Sequence, residues 1–449
     1  MDSTSPRSRL DRMLGVFADV HGGEGVTALL LSLNIFLILM AYYVLKPVRE
    51  ALILGEGSAE LKSYMSAGQV VLLAFIVPLY SRLVARFVRI RLINVVTAFF
   101  VSCLLLFYVL ARFHVPLAIV FFLWIGIFNL MVIAQFWSFA NDIYTKDQGE
   151  RLFAIVGFGA SLGAVTGSRI ADRLIEPVGI YQMMLVGAVI LIAQLVLTNY
   201  LDRRGPGHAA MPAATKGGTA PPKTSGSDAF ALVFKTRYLL LMALMLMLLN
   251  WVNTTGEYIL GSIVTDSVSK TVAAGGGGGL STEQLIGDFY SKYFTYVNIV
   301  GLLLQLFVVS RVVKYLGVSK AVIIHPLISL CAYNVLIFIP TLTAVLTAKV
   351  AENSTDYSLN NTVRNMLFLP CTYEEKFSAK QAIDSFFVRM GDVLSAGLVF
   401  LGTAVFSLQP KQFAFVNAII VVAWLAIAWR VGRHYDARTA ERGRQPAAV

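Results

Sequence analysis

The chain of 449 residues is 57% hydrophobic and only 14% charged, whereas soluble domains carry about 25% charged residues. This composition excludes an ordinary soluble globular protein. The net charge of +11 comes from Lys and Arg residues that gather in alternate loops, which argues against a nucleic-acid partner. The three cysteines are far apart in sequence and predict neither a disulfide framework nor a metal site.

The first 23 residues are basic and polar, and they lack the short apolar core and the small-residue cleavage site of a secretory signal. We therefore expect a cytoplasmic N-terminal tail. Apolar stretches of about 20 residues, long enough to cross the hydrocarbon core of a bilayer, then recur along the chain. We predict twelve membrane-spanning helices, at 24–46, 61–84, 92–112, 115–140, 151–174, 179–201, 235–260, 284–310, 319–339, 341–364, 380–405 and 411–430.

A long polar segment follows the sixth predicted span. It reads "DRRGPGHAAMPAATKGGTAPPKTSGSDA", a composition rich in Pro, Gly, Ser, Thr and Ala that is typical of a flexible linker. The predicted organisation is an N-terminal six-helix bundle at 24–201, a cytoplasmic linker at 202–234, a C-terminal six-helix bundle at 235–430 and a cytoplasmic tail at 431–449.

The distribution of Lys and Arg predicts the orientation in the membrane. Basic residues gather in the N-terminal tail, in the connection between spans two and three, in the central linker and in the C-terminal tail. The connections of the other parity are short and contain few Lys or Arg residues. Because cytoplasmic loops carry the excess of Lys and Arg, we expect both termini in the cytoplasm.

Two glycine-rich stretches suggest nucleotide binding at first sight. The stretch "AAGGGGGL" at 273–280 lacks the Gly-Lys-Ser/Thr of a phosphate-binding loop, and we interpret it as an external flexible loop. In "GFGASLGAVTG" the glycines Gly159, Gly163 and Gly167 recur every four residues. This spacing predicts a flat helix face for close packing inside the membrane rather than a dinucleotide fingerprint.

Polar and charged residues concentrate in predicted spans one, four, seven and ten, where they are costly and usually face a cavity. These four spans are equivalent if the twelve form a repeat of three-helix units, as in major facilitator transporters, which bind substrate near the midplane. The pattern predicts a central polar cavity. The candidate substrate-binding residues are Lys46, Arg49 and Glu50 in span one, Asn141 in span four, Asn253 and Glu257 in span seven, and Lys349, Glu352, Asp356, Asn360 and Arg364 in span ten.

Simpler structural roles stay open for these charged residues. Lys46 and Arg49 could lie at the outer interface, where long basic side chains extend toward water, and Arg49 could pair with Glu50. We interpret Asp288 and Lys292 as an intrahelical pair, and Arg151 near the turn after span four as structural. No metal-binding constellation and no nucleophile with its base is visible in the sequence.

Three stretches, "YYVLKPVREAL", "QFWSFANDIYTKDQGERLFAIVGFGASLGAVTGSR" and "YSLNNTVRNMLFLPCTYEEKFSAKQAID", resemble the ATP/ADP translocases, the nucleotide transporters of plastids and intracellular bacteria. The resemblance extends over the whole chain. It implies a twelve-span exchanger with a major-facilitator-like fold, an all-helical membrane protein.

The resemblance transfers only part of the functional residues of the family. Its basic pair in span one is similar to Lys46 and Arg49, followed by the acidic Glu50, and the lysine after its "YSL" motif corresponds to Arg364. It implies that these cations bind phosphate, for which a guanidinium offers a bidentate fork, with Glu50 as their charge partner in the empty state.

The acidic residues of the family pattern are missing from this chain. They are replaced near Phe122 in span four, by Asn253 in span seven and by Asn365 after Arg364. Basic positions therefore persist where acidic ones are lost, which affects the choice of substrate more than the choice of fold.

We expect a multi-pass carrier in a cell membrane, on the resemblance a bacterial inner membrane, that works by alternating access without covalent chemistry or a cofactor. The substrate class we expect is nucleotides, in ATP/ADP-type exchange, or a related phosphorylated anion. The other partner is the lipid bilayer, and we expect a monomer. One alternative is a proton-coupled carrier of another organic anion, using Glu50, Glu257, Glu352 or Asp356. Another is a non-transporting membrane sensor or scaffold, against which the polar residues of span ten argue.

Overall fold

The computed structural model describes residues 9–15, 19–204, 226–339, 341–372 and 375–444, and all regular structure in these ranges is helical. Parts of the predicted N-terminal tail (1–8 and 16–18), most of the predicted linker (205–225) and the end of the predicted C-terminal tail (445–449) lie outside the described residues. The all-helical prediction is confirmed for the part of the chain that the structure describes.

Seventeen α-helices follow one another along these ranges. They are α1 (Arg9–Leu14), α2 (Gly25–Leu52), α3 (Ala59–Arg86), α4 (Arg89–Arg112), α5 (Ala118–Ile143), α6 (Lys146–Val178), α7 (Gln182–Arg204), α8 (Gly226–Lys235), α9 (Arg237–Ala273), α10 (Thr282–Phe307), α11 (Val309–Leu316), α12 (Val318–Phe338), α13 (Leu342–Thr355), α14 (Asn361–Met366), α15 (Lys380–Ala382), α16 (Val388–Phe400) and α17 (Pro410–Arg444). Five single π-helical turns adjoin them, at Ile53–Gly57, Asp356–Asn360, Glu375–Ala379, Ile383–Phe387 and Leu401–Val405.

Ten helical segments in the described ranges are long and apolar enough to cross a membrane. An eleventh is obtained when α10 and α11, which meet at a bend of 46°, are counted as one span. The predicted tenth span is not one continuous α-helix, because the π-helical turn Asp356–Asn360 divides it into α13 and α14.

Two helices extend well beyond their predicted spans. α9 continues from the predicted end at 260 to Ala273, and its last turns include an ion pair of 2.6 Å between Lys270 and Asp266, four residues apart. α17 continues to Arg444, through 14 residues of the predicted tail. Hydropathy marks where a helix leaves the apolar layer, but helix propensity and intrahelical pairs decide where it ends.

The described chain forms two compact units. Unit 1 comprises Met1–Gly57, Leu72–Thr215 and Val272–Asn298, and unit 2 comprises Ser58–Val71, Lys216–Thr271 and Ile299–Val449. Neither unit is one continuous stretch of chain. The six-plus-six division at the linker stays a prediction.

The glycine face of α6 holds unit 1 together. A Cβ atom on Gly159, Gly163 or Gly167 would overlap a backbone carbonyl oxygen of α2. The hydroxyl of Ser32 also donates to the carbonyl of Ile155 over 3.0 Å. The prediction that these glycines serve close helix packing is confirmed. This contact fixes the position of α2, which carries three of the candidate site residues.

An ion-pair network joins the N-terminal end of α2 to the first turns of α6. Arg151 donates to both carboxylate oxygens of Glu24, over 3.0 and 3.1 Å, and pairs with Asp147. Burial on its own would raise the pKa of Glu24. Hydrogen bonds from Arg151, from the backbone of His21 and from Gln148 instead lower it to about 2. The structural role predicted for Arg151 is confirmed.

In unit 2 one backbone carbonyl joins three helices. The carbonyl of Val252 in α9 accepts a hydrogen bond of 2.9 Å from the Tyr333 hydroxyl of α12 and one of 3.1 Å from Asn417 of α17. All three residues are buried. α12 also packs along α13 and α17, so that the polar residues of α13 lie in the core of this unit.

Candidate functional site

Three charged residues lie in the last two turns of α2. Glu50 is fully buried and accepts a hydrogen bond of 2.9 Å from Nε of Arg49, with a second contact from the other end of the guanidinium. The guanidinium carbon lies 4.9 Å from the ring centre of Phe122 at the start of α5. The Arg49–Glu50 pair that the sequence suggested is present, and an aromatic ring covers it.

Lys46 lies in an aromatic environment. Its Nζ is 4.1 Å from the ring centre of Phe294, 5.2 Å from that of Tyr43 and 5.9 Å from that of Tyr42. The faces of these rings attract a cation, and the lysine is buried among them. The sequence analysis did not identify Phe294, although the aromatic run "FYSKYFTY" in α10 is a signal for it.

The structure does not bring Asn141 to this cluster. Asn141 is exposed in the last turn of α5, about 28 Å along the helix axis from Phe122 at 1.5 Å per residue. The end of α2 meets the start of α5 at Phe122, so the far end of α5, where Asn141 lies, is distant from Arg49.

Glu257 of α9 belongs to a second cluster, within unit 2. It pairs with Lys62 of α3 over 3.2 Å and accepts a hydrogen bond of 3.2 Å from Asn353 of α13. Asn253 lies one turn earlier on α9 and is half-buried. The sequence analysis missed Lys62, although a lysine at the edge of a predicted span is a signal that it avoids lipid.

Lys349 and Glu352 form an ion pair of 2.5 Å in the core of unit 2. Lys349 has no exposed surface, and its Nζ lies 6.0 Å from the ring centre of Tyr333. A Cβ on Gly256 of α9 would lie 2.8 Å from this Nζ, so any other residue there would crowd the ammonium group. Both side chains are closed inside the unit rather than presented to an open cavity.

The π-helical turn after α13 carries Asp356 and Asn360. The Asn360 amide donates to Asp356 Oδ1 over 2.7 Å, and the same oxygen lies 3.9 Å from Nδ1 of His325 on α12. Such turns are rare and frequently occur at functional sites. The sequence analysis did not single out His325, although one histidine in an otherwise apolar span is a signal of a polar neighbour.

Arg364 of α14 pairs with Asp384. Beside them lies an open cavity of about 610 Å³ in unit 2, which Asp384, Lys376 and Lys380 help to line. Lys380 donates to Asn365 over 3.0 Å. Arg364 is about 20 Å along the helical segment from Lys349, so the structure separates the candidates of span ten into distinct clusters.

The chemistry shared by these clusters is a buried or half-buried cation next to a carboxylate. Where such a cation is partly exposed it can exchange its carboxylate for another anion, and a guanidinium fits a phosphate in the same bidentate way. Within the described ranges no group of three or more His, Cys, Asp or Glu residues could hold a metal ion. The pairs are Arg49–Glu50, Lys62–Glu257, Lys349–Glu352 and Arg364–Asp384.

Comparison with known proteins gives consistent matches along the chain. A family described as TLC ATP/ADP transporter matches residues 4–123 and 118–435. ADP,ATP carrier protein 5 of Rickettsia felis is 21% identical over 504 aligned positions, covering 96% of this chain and 97% of the relative. ADP,ATP carrier protein 1 of Chlamydia pneumoniae is 22% identical, covering 71% of this chain and 67% of the relative. The match to its Chlamydia trachomatis counterpart spans 65% of that protein, less than two thirds.

Solved structures of transporters share the fold. The nucleoside transporter NupG superimposes with a TM-score of 0.62 at 13% identity, covering 92% of this chain and 99% of that one. A POT family transporter in complex with a thioalcohol-conjugated peptide gives a TM-score of 0.65 at 12% identity, covering 94% and 98%. At these identities the likeness establishes the fold alone, the helical fold that these two transporters share.

Proposed function

Because the chain belongs to the TLC ATP/ADP transporter family, it is a multi-pass membrane transporter, and we propose that it exchanges ATP and ADP across a cell membrane. The observation that carries the proposal is the family match, which extends from residue 4 to residue 435. Membership of a transporter family favours a carrier over the sensor or scaffold alternative. Carriers of this kind work by alternating access and need no covalent step.

We propose that the chain crosses the membrane twelve times, in two sets of six spans joined by the linker, with both termini cytoplasmic. The span additional to the eleven above is Leu342–Met366, in which the π-helical turn interrupts a segment long enough to cross. The Lys and Arg residues of the tails and the linker support this orientation. We also propose that the working form is a monomer.

In this proposal each unit has its own phosphate-binding cations. Lys46 and Arg49 serve in unit 1 and Arg364 in unit 2. Arg49 and Arg364 each hold a carboxylate when no substrate is bound, and phosphate displaces Glu50 and Asp384 from them. The exchange replaces one charge-assisted hydrogen-bonded pair by another, which keeps the cations neutralised throughout the cycle.

The missing acids of the family pattern bear on the choice of anion. Arg49 faces the apolar ring of Phe122, and Asn365 offers Lys380 a neutral oxygen. Where the family pattern has acids, these neutral groups add no further negative charge beside the cations, so an incoming anion meets less repulsion there. A phosphorylated anion other than a nucleotide is the second candidate substrate, and the same observation favours it.

The test is uptake of radiolabelled ATP into proteoliposomes that hold the purified protein, with and without ADP inside. We expect uptake that depends on internal ADP and that unlabelled phosphorylated anions inhibit only weakly. Arg49→Ala should lower this uptake by about tenfold or more, since a charge-assisted hydrogen bond contributes about 1.5–3 kcal/mol. Arg112→Ala, an exposed residue at the end of α4, is the matched control. If the protein is folded and ATP uptake is the same with and without internal ADP, nucleotide exchange is contradicted.

A further inference from the structure

His325 is a buried histidine that the proposed phosphate sites do not use. Only 4% of it is exposed, and the backbone of Glu352 is in polar contact with it, while neither ring nitrogen has a partner at full hydrogen-bonding geometry among the described residues. A buried polar side chain without a hydrogen bond is costly, and such a group calls for an explanation. Nothing in the phosphate-binding proposal supplies one.

The surroundings of His325 come from three elements besides α12. The π-helical turn presents Asp356, with Oδ1 at 3.9 Å from Nδ1, and α13 presents Lys349 and Glu352. α17 presents Trp424, whose ring centre lies 5.1 Å from that of the imidazole in an edge-to-face arrangement. The Lys349–Glu352 pair is neutral as a unit, so the charge left facing the imidazole is that of Asp356.

A neutral imidazole carries one ring N–H, and in the tautomer that has it on Nε2 the Nδ1 atom facing Asp356 can take up one more proton. A proton on Nδ1 would make the imidazole a donor toward Asp356 and would cancel the remaining negative charge. The Asp356 side chain is 20% exposed, which gives this buried pair a route to solvent. Asn360 orients the carboxylate by donating to the oxygen that faces His325.

We propose that His325 and Asp356 form a proton-binding site in unit 2 that accompanies nucleotide transport. The proton binds at Nδ1 of His325 facing the carboxylate of Asp356, and it leaves again as H⁺ on the other side of the membrane, with no other bond changed. The coupling part of this inference rests on the proposed function, whereas the binding of the proton does not.

A transported proton would balance the net charge that ATP/ADP exchange moves across the membrane. ATP carries one more negative charge than ADP at neutral pH, so that exchanging one for the other moves a net charge. A proton carried in the same direction as ATP cancels that charge. Exchange would then respond to a pH gradient and not to the membrane potential.

Proton binding is tested by fluorescence without any substrate, because Trp424 touches His325 and an imidazolium quenches an indole more strongly than a neutral imidazole does. In the purified full-length protein we expect the Trp424-dependent emission, taken as the difference from Trp424→Phe, to fall as the pH is lowered from 8 toward 4, because the protonated imidazole is the stronger quencher. His325→Gln should abolish this transition, and Asp356→Asn should shift it to more acidic pH. His434→Gln, the matched control on α17, should leave the transition unchanged. An emission difference that stays flat over this range in the wild-type protein overturns the proton site.

Coupling is tested in proteoliposomes loaded with ADP. An acid exterior should raise the initial rate of labelled ATP uptake several-fold at zero membrane potential, whereas a potassium–valinomycin potential at equal pH should leave the rate unchanged. In His325→Gln the response to the pH gradient should be lost, and the remaining exchange should respond to the potential. Wild-type exchange driven by the potential and indifferent to the pH gradient overturns the coupling.

The two measurements separate this inference from the proposed function. If the protein moves no nucleotide but the Trp424 transition is present and depends on His325, the proposed substrate is wrong and the proton site stands. If ADP-dependent ATP uptake is found without the transition, nucleotide exchange stands and the proton site is wrong.

Discussion

At the scale of one residue, Lys349 shows that a charge buried inside this transporter needs a close counter-ion. It is fully buried, and Glu352, Tyr333 and the bare backbone of Gly256 surround its ammonium group. Taking a charge out of water costs several kcal/mol, which only a close counter-ion offsets. The pair is therefore sensitive to the loss of either partner.

Lys349→Met is expected to destabilise the protein by about 3–5 kcal/mol, because it leaves the carboxylate of Glu352 buried without its partner. The double variant Lys349→Met, Glu352→Gln should recover part of this loss. Lys270→Met is the matched control, since it breaks an exposed pair that contributes only about 0.3–0.5 kcal/mol. Thermal unfolding in detergent measures all three, and equal shifts for Lys349→Met and Lys270→Met would contradict the argument.

The lowered pKa of Glu24 predicts how much this residue stabilises the folded protein at each pH. Its pKa in the folded protein is about 2, below the ordinary value of 4.5, so the ionised form is stabilised. This contribution is complete above pH 4.5 and disappears as the pH falls toward 2. The melting temperature of the wild type minus that of Glu24→Gln should be constant around neutral pH and shrink below pH 4.5. A difference that grows in acid would refute this assignment.

At the scale of elements, the glycine face of α6 determines how closely α2 approaches. Gly163→Ala should lower the melting temperature in detergent, because the added Cβ would overlap the carbonyl of Phe36 and force the helices apart. Gly157→Ala on the same helix is the control, since nothing lies within 4 Å of its Cβ position. There we expect no loss, or a gain of up to about 1 kcal/mol from helix propensity. Equal destabilisation by both would mean that packing is not the cause.

The same element explains what the sequence could and could not predict. Spacing of four residues was enough to assign Gly159, Gly163 and Gly167 to a packed face, because helical periodicity is a local property. The helices α9 and α17 run beyond the spans predicted at 235–260 and 411–430, because apolar composition predicts the membrane-crossing part of a helix and not the residue at which its hydrogen bonding ends.

The candidate site was less predictable than the fold. The Arg49–Glu50 pair could be suggested because the two residues are neighbours in sequence. The partners Lys62, Phe294 and His325 come from other helices, and no pattern within a span identifies which helix will supply a neighbour. The π-helical turn at Asp356–Asn360 has no sequence periodicity of its own, so its effect on the span was also missed.

At the scale of the whole molecule, the Lys and Arg residues behind the net charge of +11 gather in alternate loops. We expect a cysteine at Ala274, in the exposed loop after α9, to react with a membrane-impermeant maleimide added outside intact cells. A cysteine at Ser225 in the linker should react only after the membrane is opened. Both are introduced into a chain whose Cys103, Cys331 and Cys371 have been replaced. Labelling of Ser225→Cys from outside would reverse the proposed orientation.

The π-helical turn at Asp356–Asn360 has a further consequence for how the sequence can change by insertion or deletion. Such a turn is equivalent to an α-helix that has gained one residue, and one residue corresponds to a rotation of about 100°. Removing a single codon there would restore a regular helix and turn Arg364 and everything after it on α14 to a different side. The direction in which this arginine points thus depends on the number of residues before it as much as on its side-chain chemistry. A one-residue deletion would change the anion that the transporter accepts without replacing any of the proposed binding residues.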